Sequence, residues 1–137
     1  MSQLVMIDDN PMEHLIMQKM LSRYDIFKDS SHCLDGRLII DFLKEHRSQP
    51  DLLPDIIFTD LNMSHYSGWL FLEHFNALHA SLTKNIAVYV LSSSADPNDR
   101  IRAKQYPFVK EFYQKPIRRE WLEQLYLLYN NTDRAAG

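Results

Sequence analysis

The sequence predicts an α/β fold: a doubly wound sheet of five parallel strands with a helix after each. Three observations carry this. Short strand-like runs alternate with segments whose apolar residues recur at helical spacing, and that alternation is how parallel strands are joined by crossover helices. The central runs, such as Val5-Met6-Ile7 and Ile56-Ile57-Phe58, are apolar throughout, as strands covered on both faces are. Four of the runs end in polar residues: Asp8 and Asp9, Asp60, Ser92 and Lys115. Parallel strands bring their carboxyl ends to one edge, where open α/β sheets bind ligands.

Each element has its own signal. Leu4–Ile7 is a short buried strand. Asn10-Pro11 then opens a helix, because Asn accepts from free N–H groups and Pro tolerates the first turn. Met12, Leu15, Ile16 and Met20 mark its expected buried face. The weakest strand signal lies at 29–33. Asp35-Gly36 is a turn or the start of a helix that buries Ile39, Phe42 and Leu43. Residues 47–54 are polar with two prolines and read as a loop. The strongest strand is 55–59, and Asp60 closes it. The loop 63–68 holds one of three glycines. His65 and Tyr66 read as its surface. A helix at 69–79 buries Phe71, Leu72, Phe75 and Leu78. A strand at 86–91 leads into a polar loop, and Asp96-Pro97 caps a short helix to about Tyr106 whose apolar face is thin. The last strand, 109–113, stops before Pro116. The last helix, 118–131, carries Leu122, Leu125, Tyr126 and Tyr129 on one stripe.

Composition narrows the class. At 137 residues the chain fits one domain. We read 1–131 as that domain and 132–137 as a small, polar tail that frays. The net charge of -3 and the lack of a basic stretch argue against direct nucleic-acid binding. A single cysteine, Cys33, excludes an internal disulfide and reads as a small, partly buried apolar residue. No apolar run is long enough to span a bilayer, and no signal peptide is visible, so a cytoplasmic location is expected.

A carboxylate closing a buried strand is costly unless it is paired. Taken singly, Asp8-Asp9 would be an acidic helix start and Lys115 a surface lysine. Together they make an acidic site with one cation and one hydroxyl. Three clustered carboxylates repel unless a cation joins them, and oxygen-only ligands suit Mg²⁺. Carboxylates serve as covalent nucleophiles toward phosphorus, and phosphoryl transfer asks mainly for alignment and charge neutralisation. The parts fit phosphorylation of an aspartate.

The segments Val5-Met6-Ile7-Asp8-Asp9-Asn10, Asp55-Ile56-Ile57-Phe58-Thr59-Asp60-Leu61-Asn62-Met63, Val90-Leu91-Ser92-Ser93-Ser94 and Tyr113-Gln114-Lys115-Pro116-Ile117, in that order, resemble a CheY-like response-regulator receiver domain of two-component signalling. The resemblance implies a flavodoxin-like (βα)5 fold with strand order 2-1-3-4-5. It implies that Asp60 is the phosphoacceptor. Asp9 and Asp60 would bind Mg²⁺ directly, Asp8 through water, and Asn62 through its backbone carbonyl. Lys115 would pair with the acceptor and then with its phosphoryl group, across a Lys-Pro bond that is typically cis. Ser92 and Phe112 would be the switch residues, with Phe112 repacking inward and changing the surface of the fourth helix, fifth strand and fifth helix. Such a domain catalyses its own phosphorylation and dephosphorylation. Its partners would be a sensor histidine kinase or histidine phosphotransfer protein and a downstream target protein, with room for a phosphorylation-dependent homodimer. The chain ends soon after the fifth helix and reads as a stand-alone receiver. It departs from the family where many members have Pro and this chain has Ser64. Ser94 and Met63 occupy positions that influence phosphate lifetime. Competing readings are a pseudo-receiver that binds protein without phosphate and a small Mg²⁺-dependent phosphatase.

Overall fold

The computed structural model describes residues 3–136 apart from 26 and 28, and describes side chains as far as residue 129. Five strands and five helices alternate: β1 (Leu4–Ile7), α1 (Pro11–Leu21), β2 (Ser31–Cys33), α2 (Gly36–Glu45), β3 (Ile56–Thr59), α3 (Gly68–Leu78), β4 (Ala87–Ser92), α4 (Pro97–Lys104), β5 (Val109–Gln114) and α5 (Arg119–Ala136). All pairings are parallel, in the order β2-β1-β3-β4-β5. This is the flavodoxin-like (βα)5 sheet that the resemblance implies.

Alternate residues of each strand feed opposite faces. Val5, Ile7, Ile57, Val88 and Val90 pack with Ile39, Leu43, Phe71, Phe75 and Ala103, so α2, α3 and α4 cover one face. Leu4, Met6, Ile56, Phe58 and Leu91 pack with Met17, Leu21, Leu122 and Leu125, so α1 and α5 cover the other. The helices start where their caps say. Asn10, Asp35, Ser67 and Asp96 each accept a backbone N–H of the first turn through the side chain. Residue Lys110 is extra in β5: Val88 pairs with Val109, but Tyr89 pairs with Glu111. This bulge keeps Val109 and Phe112, three apart, on the same face of the sheet.

Several expectations are corrected. The buried residues of α1 are His14, Met17 and Leu21, whereas Met12, Leu15 and Ile16 are 60, 55 and 48 % exposed and Met20 is half-buried. Apolar residues stand on both sides of this helix, so its pattern alone does not say which side faces the sheet. The His14 ring, bonded to the backbone of Asp8, helps fix the choice. In α2 the buried residues are Ile39, Ile40 and Leu43; Phe42 is half-buried and lies over His46. The 47–54 loop contains a 3₁₀ turn at Pro50–Leu52. Helix α4 ends at Lys104 and buries only Ala103, matching its thin apolar face. Helix α5 continues to Ala136 rather than ending at 131, and Gly137 lies outside the described residues. Among the described residues no helix is long and apolar enough to cross a membrane.

Candidate functional site at the carboxyl edge of the sheet

Asp8 follows β1, Asp60 follows β3, Ser92 closes β4 and Lys115 follows β5. Parallel pairing places these ends on one edge. Asp8, Asp60 and Ser92 are buried, at 1, 9 and 0 % exposure. The Lys115 ammonium joins three elements: Nζ lies 2.8 Å from Asp8 Oδ2, 3.3 Å from Asp60 Oδ2 and 3.9 Å from Glu13 Oε2. The Lys115 N–H also donates to the Ser92 carbonyl at 2.7 Å, which ties β5 to β4 at the site. The Lys115-Pro116 bond is cis.

Asp60 is polarised between its two oxygens. Oδ1 accepts the backbone N–H of Leu61 at 2.7 Å and of Asn62 at 3.4 Å, while Oδ2 faces Lys115. Burial raises the Asp60 pKa, Lys115 opposes that, and the neighbouring Asp8 charge raises it further. The net direction is upward, with burial the largest cause. Burial pulls Lys115 down, but its hydrogen bond to Asp8 and the charges of Asp60, Asp8 and Glu13 outweigh burial and hold it above the usual lysine value.

Asp9 stands apart from this cluster. It is exposed, and its Oδ2 accepts the Ser64 N–H at 3.0 Å and the Ser64 hydroxyl at 3.3 Å. Among the described residues no three His, Cys, Asp or Glu side chains are arranged to hold a metal ion. The donor chemistry nevertheless fits Mg²⁺: the available atoms are carboxylate and carbonyl oxygens, and Mg²⁺ typically takes one or two protein carboxylates and keeps several waters. Ser92 Oγ accepts the Ser94 N–H at 3.1 Å, and Ser94 Oγ donates to Asp99 Oδ2 at 2.6 Å. The Ser92 hydroxyl is thus engaged in its own loop. Phe112 is already buried at 2 % exposure, with the Arg100 guanidinium 5.4 Å from its ring centre. An inward repacking has no outward position to start from in this structure.

Three residues not singled out as functional help build the site. His14, on the inner face of α1, reaches the Asp8 carbonyl through Nε2 at 2.7 Å, and its Nδ1 lies 2.8 Å from His32 Nδ1. A carbonyl only accepts, so His14 Nε2 carries the hydrogen. In the neutral pair His32 Nδ1 therefore donates to His14, and the Ser30 hydroxyl donates to His32 Nε2 at 2.8 Å. Tyr66, expected at the loop surface, is buried at 4 %; its hydroxyl bonds to His74 Nδ1 and Arg37 lies over its ring, which anchors the β3–α3 loop to α2 and α3. His65 is exposed as expected. Gly68 closes that loop: its N–H donates to the Leu61 carbonyl, and a Cβ there would lie 1.9 Å from the Asp60 carbonyl oxygen. The glycine was visible as a loop residue. Its close approach to Asp60 depends on a return of the chain that no local pattern encodes.

The model of the response regulator receiver domain family matches residues 4–126. The chain is similar to a two-component response regulator from Cytophaga hutchinsonii, at 25 % identity and a TM-score of 0.80 over 93 % of this chain and 96 % of that one. It is similar to a response regulator receiver protein from Dyadobacter fermentans, at 26 % identity and a TM-score of 0.74 over 89 % and 92 % of the two chains. At the level of fold it also matches a Vibrio cholerae chemotaxis protein, at 21 % identity and a TM-score of 0.68 over 91 % and 95 %. No curated protein matches the chain.

Proposed function

The chain belongs to the response regulator receiver domain family, and from that membership we propose that it is a phosphoaccepting switch that carries a phosphoryl group on Asp60. The observation that carries the reading is the Lys115 ammonium between Asp8 and Asp60, at 2.8 and 3.3 Å, on the carboxyl edge of a parallel sheet. In the proposed reaction an Asp60 oxygen attacks phosphorus. The new O–P bond forms as the bond to the donor, a phosphorylated histidine nitrogen of a sensor kinase or phosphotransfer protein, breaks. Lys115 neutralises charge gathering on the phosphoryl oxygens, and the Leu61 and Asn62 N–H groups hold Oδ1. Asp9, Asp60 and the Asn62 carbonyl would hold Mg²⁺, with Asp8 acting through water. When bound, the ion supplies positive charge to the transferring group.

The phosphodonor protein would dock on the exposed apolar side of α1. Ile16 and Met20 line a cavity of about 350 Å³ with Lys115, Pro116 and Ile117, so that surface runs up to the acceptor's lysine. After transfer, Ser92 Oγ would leave the Ser94 N–H for a phosphoryl oxygen. That would loosen the Ser94–Asp99 contact at the start of α4 and alter the face a downstream target reads. With Phe112 already buried, the movement falls to α4 and Arg100. The reading places the protein in the cytoplasm with the kinase's phosphorylated histidine.

A second reading, a constitutive protein-binding module, is favoured by one observation: Asp9 is turned to Ser64 and no three-ligand metal arrangement is present among the described residues. Intact mass after incubation with a small acyl phosphate and Mg²⁺ separates the two. The switch gains one phosphoryl group in a metal-dependent way, and Asp60→Asn gains none. A folded protein that gains nothing from the acyl phosphate or from a phosphorylated histidine protein is the binding module.

A further inference from the structure

We propose that a cavity between the ends of α2 and α3 is a binding site for a small phosphate monoester. The cavity measures about 360 Å³ and is lined by Lys44, Arg47, His74, Ala77, Leu78 and Ser81. Small-molecule sites have volumes of this order. The lining holds two cations and an imidazole but no acid, in a chain whose net charge is -3. The ion pairs among the described residues engage Lys84, Arg100, Lys104 and Lys115, and leave Lys44 and Arg47 without a carboxylate partner. Two cations facing one cavity without a counter-charge favour a dianion there.

Two of the three donors are held in place. Arg47 Nε donates to the Lys44 carbonyl at 3.0 Å. The Arg47 carbonyl accepts the Thr83 N–H at 2.9 Å and the Thr83 hydroxyl at 2.8 Å. The residue is tethered at its backbone and at Nε, and its two terminal nitrogens remain to fork onto phosphate oxygens. His74 Nδ1 bonds to the Tyr66 hydroxyl. A phenol is a stronger acid than an imidazole N–H, so Tyr66 donates and the His74 hydrogen sits on Nε2, as a donor for a ligand. Lys44 lies in the last turn of α2, where a lysine also complements the helix dipole. The dipole does not account for Arg47 beyond that helix or for His74 on α3. The helix-end carbonyls that would repel an anion are already bonded, Lys44's by Arg47 and Leu78's by the Ser81 hydroxyl at 2.7 Å. Leu78 and Ala77 offer an apolar wall to the organic part of the ester.

The test is an NMR titration of the full chain with phenyl phosphate, without Mg²⁺, at constant ionic strength and at a pH where the ester is a dianion. The signals followed are the Arg47 Nε–H and the His74 ring. Both should shift and saturate, with a dissociation constant of roughly 1–10 mM. Inorganic phosphate, which lacks the apolar body, should bind roughly threefold more weakly. Arg47→Ala and Lys44→Gln should each weaken phenyl phosphate binding by roughly tenfold. Both side chains are exposed, and the amide spectrum shows whether each variant is folded. If Arg47→Ala does not fold, Lys44→Gln decides alone. Shifts that stay linear into tens of millimolar, or that chloride reproduces at matched ionic strength, are charge screening and overturn the site. Saturable shifts elsewhere with Arg47 and His74 unmoved place the anion elsewhere and overturn it too. An affinity unchanged in the folded variants does the same.

Discussion

At the residue scale, the site is a problem of charge and space. Asp60 is buried between Lys115 and the Leu61 and Asn62 N–H groups, so both of its carboxylate oxygens have partners. Gly68 sets the space. A methyl group there overlaps the Asp60 carbonyl, and the atoms it meets are backbone of Asp60 and Leu61, which have little room to yield. Gly68→Ala should destabilise the fold by ~3 kcal/mol and lower the rate of acyl-phosphate labelling of Asp60. Urea unfolding and intact-mass time courses check this; unchanged midpoint and rate would show that the loop relaxes freely. Asp8, Asp60, Ser92 and Lys115 were legible as strand-end polar residues, because such residues are costly unless used. The roles of Tyr66 and His14 were not. Tyr66 looks like loop surface until α2 and α3 close over it. His14 sits in a helix pattern where an imidazole reads as polar, yet it is buried because a carbonyl and His32 satisfy both ring nitrogens.

At the element scale, α1 is the instructive case. Its sequence offers two apolar sides: Met12, Leu15, Ile16 and Met20, or Met17 and Leu21 joined by His14. The first has more carbon and the second faces the sheet. Under the proposed function, the exposed Met12, Leu15 and Ile16 are the surface on which the phosphodonor protein would dock. Ile16→Glu should therefore leave stability within ~0.5 kcal/mol, whereas Met17→Ala should cost ~2–4 kcal/mol. Ile16→Glu should also slow transfer from a phosphorylated histidine protein by roughly tenfold, equivalent to about 1.4 kcal/mol, while labelling by a small acyl phosphate stays unchanged. Equal loss with both donors would remove α1 from the docking surface. By contrast α3 and α5 were legible because one stripe of each dominates. Leu122 and Leu125 are buried as expected, with Tyr126 and Tyr129 packed beside them. The length of α5 was not legible, since its last turns carry no apolar stripe to mark them.

At the scale of the whole molecule, alternation and continuous apolar strands determine a covered parallel sheet, and that sheet brings four distant segments to one edge. The same assembly makes stability depend on pH in two opposed ways. His32 is pulled down from 6.5 to about 4, chiefly by burial and then by His14. Between these values the unfolded chain binds the proton and the folded one does not, so this contribution is complete above pH 6.5 and is lost as pH falls toward 4. Asp60, raised by burial, works the other way: its folded form holds a proton at pH values where the unfolded carboxyl has released it, so its contribution weakens as pH rises. In an Asp60→Asn background the second effect is gone. The urea midpoint should then fall from pH 7 to pH 5, and replacing His32 with Gln should flatten the fall; equal slopes with and without His32 would assign the pH dependence to other groups. One consequence of the chain's return at Gly68 lies in mechanics. The segment from Asp60 to Gly68 is closed on itself by the Leu61–Gly68 bond and pressed against the acceptor's own carbonyl, with His65 and Asn62 on its open rim. Under the proposed function it would be a handle joined directly to the acceptor, so that a protein gripping the rim would also pull on Asp60.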